Sequence, residues 1–229
     1  MEFFSKTIQA FNHGGFVMWV IFAGQVISIA IILDRAAALY MKRTTNSRQL
    51  AKGFEDDIKK GRLEAVMNRA QLLAAGGNAM GKAILAGTQA AYHYGGKEEI
   101  QSKMDEVLLS ETSTLEKRTG FLAAIGNIGT LAGLLGTIIG LINSFEAVAA
   151  SNPVEKANLL SQGISMAMHA TAYGLIMAIP ALVMFAVFQN RANVLADDLN
   201  QSSLMVYNWL SYSYEPSKQK GPQRLNANA

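Results

Sequence analysis

Charge disappears from three long stretches of this chain and crowds the rest of it. Apolar residues run from Phe16 to Leu33 with Gln25 as the one strongly polar interruption, from Phe121 to Phe145 without a charge, and from Ile164 to Phe188 without Asp, Glu, Lys or Arg. About 20 helical residues cross a hydrocarbon core of roughly 30 Å. The region between Met41 and Gly120 is studded with charge and offers no fourth crossing. The pattern predicts transmembrane helices over 16–33, 121–150 and 164–188, separated by a helical region over 34–120 and a loop over 151–163. An N-terminal segment 1–15 precedes them, and a helix over 189–210 and a tail over 211–229 follow.

The charged region is helical by period, with breaks expected at Gly53, Gly61, Gly76-Gly77 and Gly95-Gly96. From Lys97 the pattern changes. Ile100, Met104, Val107, Leu108 and Leu115 fall near one face among Glu98, Glu99, Lys103, Asp105 and Glu106, and neither Pro nor Gly intervenes before Gly120. This predicts one helix from about Lys97 to about Ala150, roughly 80 Å long at 1.5 Å per residue. The third span continues likewise through Val194, Leu195, Leu199, Met205, Val206, Trp209 and Leu210, weakened at Ser202 and Ser203. It reads as a solvated stalk whose apolar stripe meets its neighbours. The tail lacks an apolar period and is expected to be disordered. The fold class is an all-α membrane protein with three transmembrane helices and long cytoplasmic helical extensions.

The positive-inside tendency orients it. Fourteen of the 20 Lys and Arg residues lie between 34 and 120, and Arg35, Lys42, Arg43, Lys117, Arg118 and Arg191 sit close to span ends. The long segment and the C-terminus are therefore expected in the cytoplasm, with the N-terminus and the loop around Asn152 and Pro153 outside. A cleavable signal peptide is the competing account of the first stretch, since Ala36 to Ala38 mimic a small-residue cleavage site. Its apolar run exceeds a usual signal core, and Asp34 and Arg35 precede the alanines. Only 16% of residues are charged and 50% are hydrophobic, and the net charge of +3 is explained by cytoplasmic flanks without a nucleic acid partner. With no cysteine, disulfides and thiolate chemistry are excluded.

The second span carries glycines at 126, 129, 133, 136 and 140, spaced three and four apart, with Thr130, Thr137 and Ser144 seven apart along one edge. In the third span Ala167, Gly174, Ala178 and Ala181 share a side with Thr171, its only polar member. Small residues let helix backbones approach closely in lipid. The hydroxyls either bond backbone carbonyls within the packing or line a polar path, and spacing alone leaves both open. His169, Tyr173 and Pro180 fall on the other side of that helix. A histidine in a span is a candidate proton relay, or it donates one hydrogen bond to a neighbour. Pro180 is expected to kink the helix. His93, between Tyr92 and Tyr94, reads as a surface or packing residue.

Between Phe121 and Phe188 the only carboxylates are Glu146 and Glu155, both at or in the outward loop. No proton-carrying acid stands at mid-membrane depth. If the assembly moves ions, the titrating group comes from another polypeptide.

The run Gly133-Leu134-Leu135-Gly136-Thr137-Ile138-Ile139-Gly140, followed by Asn143-Ser144-Phe145, resembles the second-span signature of the MotA/TolQ/ExbB family. Gly163-Ile164-Ser165, Ala170-Thr171-Ala172, Gly174-Leu175 and Ala178-Ile179-Pro180-Ala181 resemble its third span in order and spacing. The likeness covers the whole three-span layout and is nearer to TolQ and ExbB than to four-span MotA. It implies a ring-shaped homo-oligomer, typically a pentamer, around a dimer of single-span partners like TolR or ExbD, whose membrane aspartate takes up and releases the ion. Thr137 and Thr171 would be the pore-facing threonines, with Thr130, Ser144 and His169 as further candidates on the path. One departure matters: many relatives carry a glutamate five residues before the third-span threonine, and here that residue is Met166. The loss could mark a gliding-type branch or a different ion.

The leading expectation is thus an inner-membrane stator or energiser subunit, not an enzyme, that moves H⁺ or Na⁺ without a cofactor and couples the ion gradient to work at the periplasm or outer membrane, in a Tol-, Ton- or gliding-type system. The alternative is a non-conducting scaffold that keeps the ring. A membrane-anchored enzyme has no nucleophile and base pair, phosphate loop or metal cluster to support it.

Overall fold

The computed structural model describes residues 15–41, 46–93, 96–149, 152 and 155–213. The N-terminal segment, the tip of the loop around Pro153 and the tail beyond 213 lie outside the described residues, as does Tyr94. Every regular element among those described is helical: α1 (Gly15–Ala36), continued by a π-helical turn (Ala37–Met41), α2 (Ser47–Lys59), α3 (Leu63–Ala75), α4 (Ala79–His93), α5 (Lys97–Glu116), α6 (Thr119–Ala149) and α7 (Lys156–Ser213). Among the described residues, three helices are long and apolar enough to cross a membrane. The chain divides into two units, one of residues 1–43 with 116–191, the other of 44–115 with 192–229.

In the first unit α1 turns Met18, Ile21, Ser28 and Arg35 inward at helical spacing, while Phe16, Trp19, Phe22, Val26, Ile29 and Leu33 are exposed. Met18 and Ile21 pack with Met177 of α7, flanked by Ile125 and Ala132 of α6 and by Tyr173. An outer face this apolar suits lipid, where exposing Leu or Ile costs nothing. At one end of the unit Asp34 accepts bonds from its neighbour Arg35 and from Arg118 of α6, at 3.0 and 3.3 Å, and the Arg191 guanidinium lies 5.3 Å from the centre of the Tyr40 ring.

The second unit is a helical cluster built on α2 to α5 and the C-terminal part of α7. Its core joins Phe54 and Ile58, Val66 and Ala70, Met80 and Ile84, Ile100 and Met104, and Leu199, Val206 and Leu210. Turns come where the backbone takes positive φ, at Gly61 (72°) and Gly77 (78°), which only glycine adopts without strain. Gly53 does not interrupt α2. A single helical glycine costs about 1 kcal/mol against alanine, and burial of Ala51, Phe54 and Ile58 on the same helix outweighs that. Asp198 of α7 accepts from the backbone N–H of Ser47 at 3.0 Å, satisfying one free donor at the start of α2. Lys82 donates to the buried carboxylate of Glu111 at 2.7 Å, linking α4 to α5.

One helix predicted across 97–150 is two. The chain turns at Lys117-Arg118, where Arg118 has φ 65°. No glycine or proline marks the place, so periodicity alone carries the helix through it. Left-handed backbone at a non-glycine residue costs on the order of 1–2 kcal/mol, and the bond from Arg118 to Asp34 offsets part of that. By contrast, α7 runs unbroken through Pro180.

Candidate functional site

The two glycine-rich spans meet backbone to backbone. Along α6, Leu122, Gly126, Gly129, Gly133, Gly136 and Ser144 are buried. Along α7 the buried partners are Ala167, Ala170, Gly174, Met177, Ala178 and Ala181. A methyl group placed on Gly174 would stand 2.6 Å from the Gly129 carbonyl oxygen and 2.8 Å from the Gly133 Cα. One on Gly136 would stand 2.5 Å from the Ala170 Cβ, and one on Gly140 3.0 Å from the Ala167 Cβ. One on Gly126 would meet Leu182 at 2.6 Å. At Gly163 it would collide with the Ser144 hydroxyl. Small residues are required because two helices occupy the space that ordinary side chains would fill.

Spacing had grouped Ala167, Gly174, Ala178 and Ala181 around Thr171. It missed Ala170 and Met177, which also face α6. The small-residue series 163, 167, 170, 174, 178 and 181 was readable in the sequence and would have found Ala170. Met177 carries no small-residue signal. Its thioether fills the gap above Gly24 and Gly129, with its Cε within 2.6 Å and 3.0 Å of where a Cβ on each would stand.

The four candidate hydroxyls sit along this contact, and each donates its proton to a backbone carbonyl. Thr171 Oγ1 reaches across to the Gly133 carbonyl at 3.2 Å. Thr137 donates to Leu134 at 2.6 Å, Thr130 to Gly126 at 3.2 Å and Ser144 to Gly140 at 2.6 Å, all within α6. Thr130 is exposed, Thr137 and Thr171 are half-buried, and Ser144 is buried. Thr171 therefore bridges to a residue one helical turn before Thr137.

A hydroxyl has one proton and two lone pairs. With the proton committed to the backbone, the oxygen is left as an acceptor. Such oxygens can receive a hydrogen bond from a protonated carboxyl group or coordinate a bare cation, and they offer nothing to an ionised carboxylate unless they give up their present bonds. No group of three or more metal-ligating side chains occurs among the described residues.

His169 does not join this constellation. It is exposed on α7, away from the buried Ala167 and Ala170. Tyr173 packs toward α1 through Met18 and Ile21. His93 stands edge-on to Tyr92 with ring centres 5.2 Å apart, in the second unit. Met166 is half-buried and lines a cavity with Asn143, Ser144 and Gln162 near the end of the unit that carries Asn152. Asn143 and Gln162 were not singled out by spacing. No sequence signal marks them; only the cavity brings them together.

Over 204 residues the chain is 27% identical to the Tol-Pal system protein TolQ of Haemophilus influenzae, covering 80% of this chain and 82% of that one. It is 24% identical over 213 residues to a putative biopolymer transport protein ExbB homolog of Methanothermobacter thermautotrophicus, covering 91% of this chain and 72% of the other. A shorter match, 36% over 92 residues, is to the biopolymer transport protein ExbB of Pseudomonas putida; it spans 40% of this chain and 28% of that protein. The family pattern itself fits residues 76–201, more than half the chain and all of the α6–α7 contact. With three membrane-length helices and that match, the chain belongs to the MotA/TolQ/ExbB proton channel family.

Proposed function

We propose that this chain is an inner-membrane energiser subunit, with its N-terminus in the periplasm and its C-terminus in the cytoplasm. In this reading several copies, five by family likeness, form a ring around a dimer of single-span partners resembling TolR or ExbD. Thr137 and Thr171 accept the partner's membrane acid at mid-depth, and flow of H⁺ or Na⁺ down its gradient turns ring and partner against each other. Work then passes to the periplasm or outer membrane. Thr130 and Ser144 extend the path along α6. His169, exposed on another face, is left to contacts outside it.

The observation that carries the proposal is the pairing of two facts about the same span contact. Its hydroxyl oxygens are left as acceptors, and no carboxylate of this chain lies between Phe121 and Phe145 or between Ile164 and Phe188. A path of acceptors without an acid needs one from elsewhere. A seam holding its own hydroxyls in backbone bonds also suits a scaffold that only packs, and Met166 in place of the family's glutamate favours that second reading. Purification of the tagged chain from its native membrane, followed by identification of what comes with it, tests the first. A co-purifying protein with one span containing an aspartate is expected; a homo-oligomer with no such companion overturns the proposal.

A further inference from the structure

Charge is unevenly shared within the second unit. Between 97 and 115 α5 carries five acids against two bases, and α7 from 192 to 213 adds Asp197 and Asp198 with no base. Across 47–75, α2 and α3 carry six bases against four acids. Lys59, Lys60, Arg62 and Arg69 are each occupied by an acid of α2. Arg48 and Lys52 are exposed one turn apart on α2, and neither has an ion pair among the described residues. Asp105 of α5 and Asp197 of α7 are likewise exposed without one.

The acidic side is also grooved. A cavity of about 270 Å³ lies between α5 and α7, lined by Met104, Asp105 and Leu108 of the one and Asn200, Leu204 and Tyr207 of the other, and no base lines it. Leu204 is 58% exposed. An apolar floor beside an acid suits Lys or Arg, which lays its methylene stem on the floor and sets its charge at the acid. Copies in a ring are related by rotation about one axis, so with that axis along the spans the groups that meet between copies stand at equal levels. Asp198 accepts the Ser47 N–H at 3.0 Å, which puts their chain neighbours Asp197 and Arg48 at one level of the unit. We infer that the α5–α7 groove of one copy takes the Arg48–Lys52 edge of α2 from the next, with Asp105 and Asp197 receiving the two cations. This contact is head to tail, the kind that closes into a ring. It deepens the proposed function and rests on it for the ring.

The chain has no cysteine, so an introduced pair reports on this contact alone. Two differently tagged full chains, one with Leu204→Cys and the other with Gln49→Cys, are expressed together in the native membrane and oxidised. Gln49 is exposed between the two bases. A disulfide joining the two tags is expected, about tenfold above that from Leu204→Cys with Leu72→Cys, a residue exposed on α3. Gln101→Cys, also in the groove wall, reads the same contact if Leu204→Cys does not assemble. Asp105→Lys in the groove copy removes the mixed species, and Lys52→Asp in the α2 copy restores it. Copies that co-purify through their tags yet form no mixed disulfide with either groove variant, or one indifferent to the charge reversals, overturn the docking surface and leave the ring. Tags that do not co-purify overturn ring and surface together. A charge-sensitive mixed disulfide in a complex that purifies without a companion supports the surface and overturns the energiser reading.

Discussion

Thr171 of α7 hydrogen-bonds the backbone carbonyl of Gly133 on α6 at 3.2 Å, the hydroxyl of one span closing on the glycine seam of the other. If the two threonine oxygens receive a partner's acid, Thr171→Val and Thr137→Val abolish ion-driven activity while the oligomer still assembles. Loss of the interhelical bond in Thr171→Val lowers stability by only about 0.5–1.5 kcal/mol, too little to dissolve the complex. Thr171→Ser keeps the oxygen and retains activity. Full activity in both valine variants, measured in the driven process, sinks the motor reading and favours the scaffold.

Gly174 has no room for a methyl group, because what it would meet is backbone: the Gly129 carbonyl and the Gly133 Cα. Gly174→Ala therefore spreads the two helices and is expected to lower stability by about 1–3 kcal/mol, as overpacking does. Gly136 differs, since its obstacle is the Ala170 Cβ, 2.5 Å from where its own would stand. Gly136→Ala is rescued by Ala170→Gly, which moves the methyl group from one helix to the other. Thermal unfolding of the singles and the double in detergent gives the coupling, expected at about 0.5–3 kcal/mol for residues in contact.

In the second unit Arg62 bonds the Asp57 carboxylate and Arg69 donates to its other oxygen at 2.8 Å. These bonds, Arg62 first, hold the Asp57 pKa below its ordinary value of 3.8. A carboxylate with a depressed folded pKa contributes stability that is complete above its unfolded pKa and is lost as pH falls through the lower, folded one. Asp57→Asn is expected to lower the unfolding midpoint at neutral pH and to flatten its dependence below about pH 4. An unchanged acid limb in the variant would assign that dependence to other groups.

Met166 stands in the cavity wall with Asn143, Ser144 and Gln162. A glutamate there finds polar neighbours, so Met166→Glu assembles normally. It also introduces a titratable group five residues before Thr171. The driven activity then gains a pH dependence beyond that of the parent chain. A pH profile identical to that of the parent would place position 166 off the ion path.

Much of this was legible in the sequence because membrane spans obey simple rules. Length and the absence of charge marked all three apolar helices, and the three-four spacing of Gly126 through Gly140 marked the α6 face that α7 covers. What periodicity could not supply was local. Arg118 breaks a helix in a left-handed conformation that residue preferences disfavour, and its side chain meets Asp34, 84 positions away, a contact that no local pattern shows. Gly53 has the composition of a break and is none, because the apolar face it shares is buried. Ala170 lies one residue from Thr171, and its methyl group, which carries no polar signal, makes the contact with Gly136. Asn143 and Gln162 sit on different helices, and only their convergence on one cavity distinguishes them from other polar residues near span ends.

The second unit interrupts the first in the chain: α1 and α6 pack together, yet residues 44–115 are threaded between them. Closing a loop grows costlier only logarithmically, about 0.6 kcal/mol for each doubling of its length. Lengthening or trimming that inserted segment thus scarcely taxes the joining of the first span to the second. The pairing of α1 with α6 therefore tolerates a longer or shorter second unit, so long as that unit still covers Leu199, Val206 and Leu210 of α7.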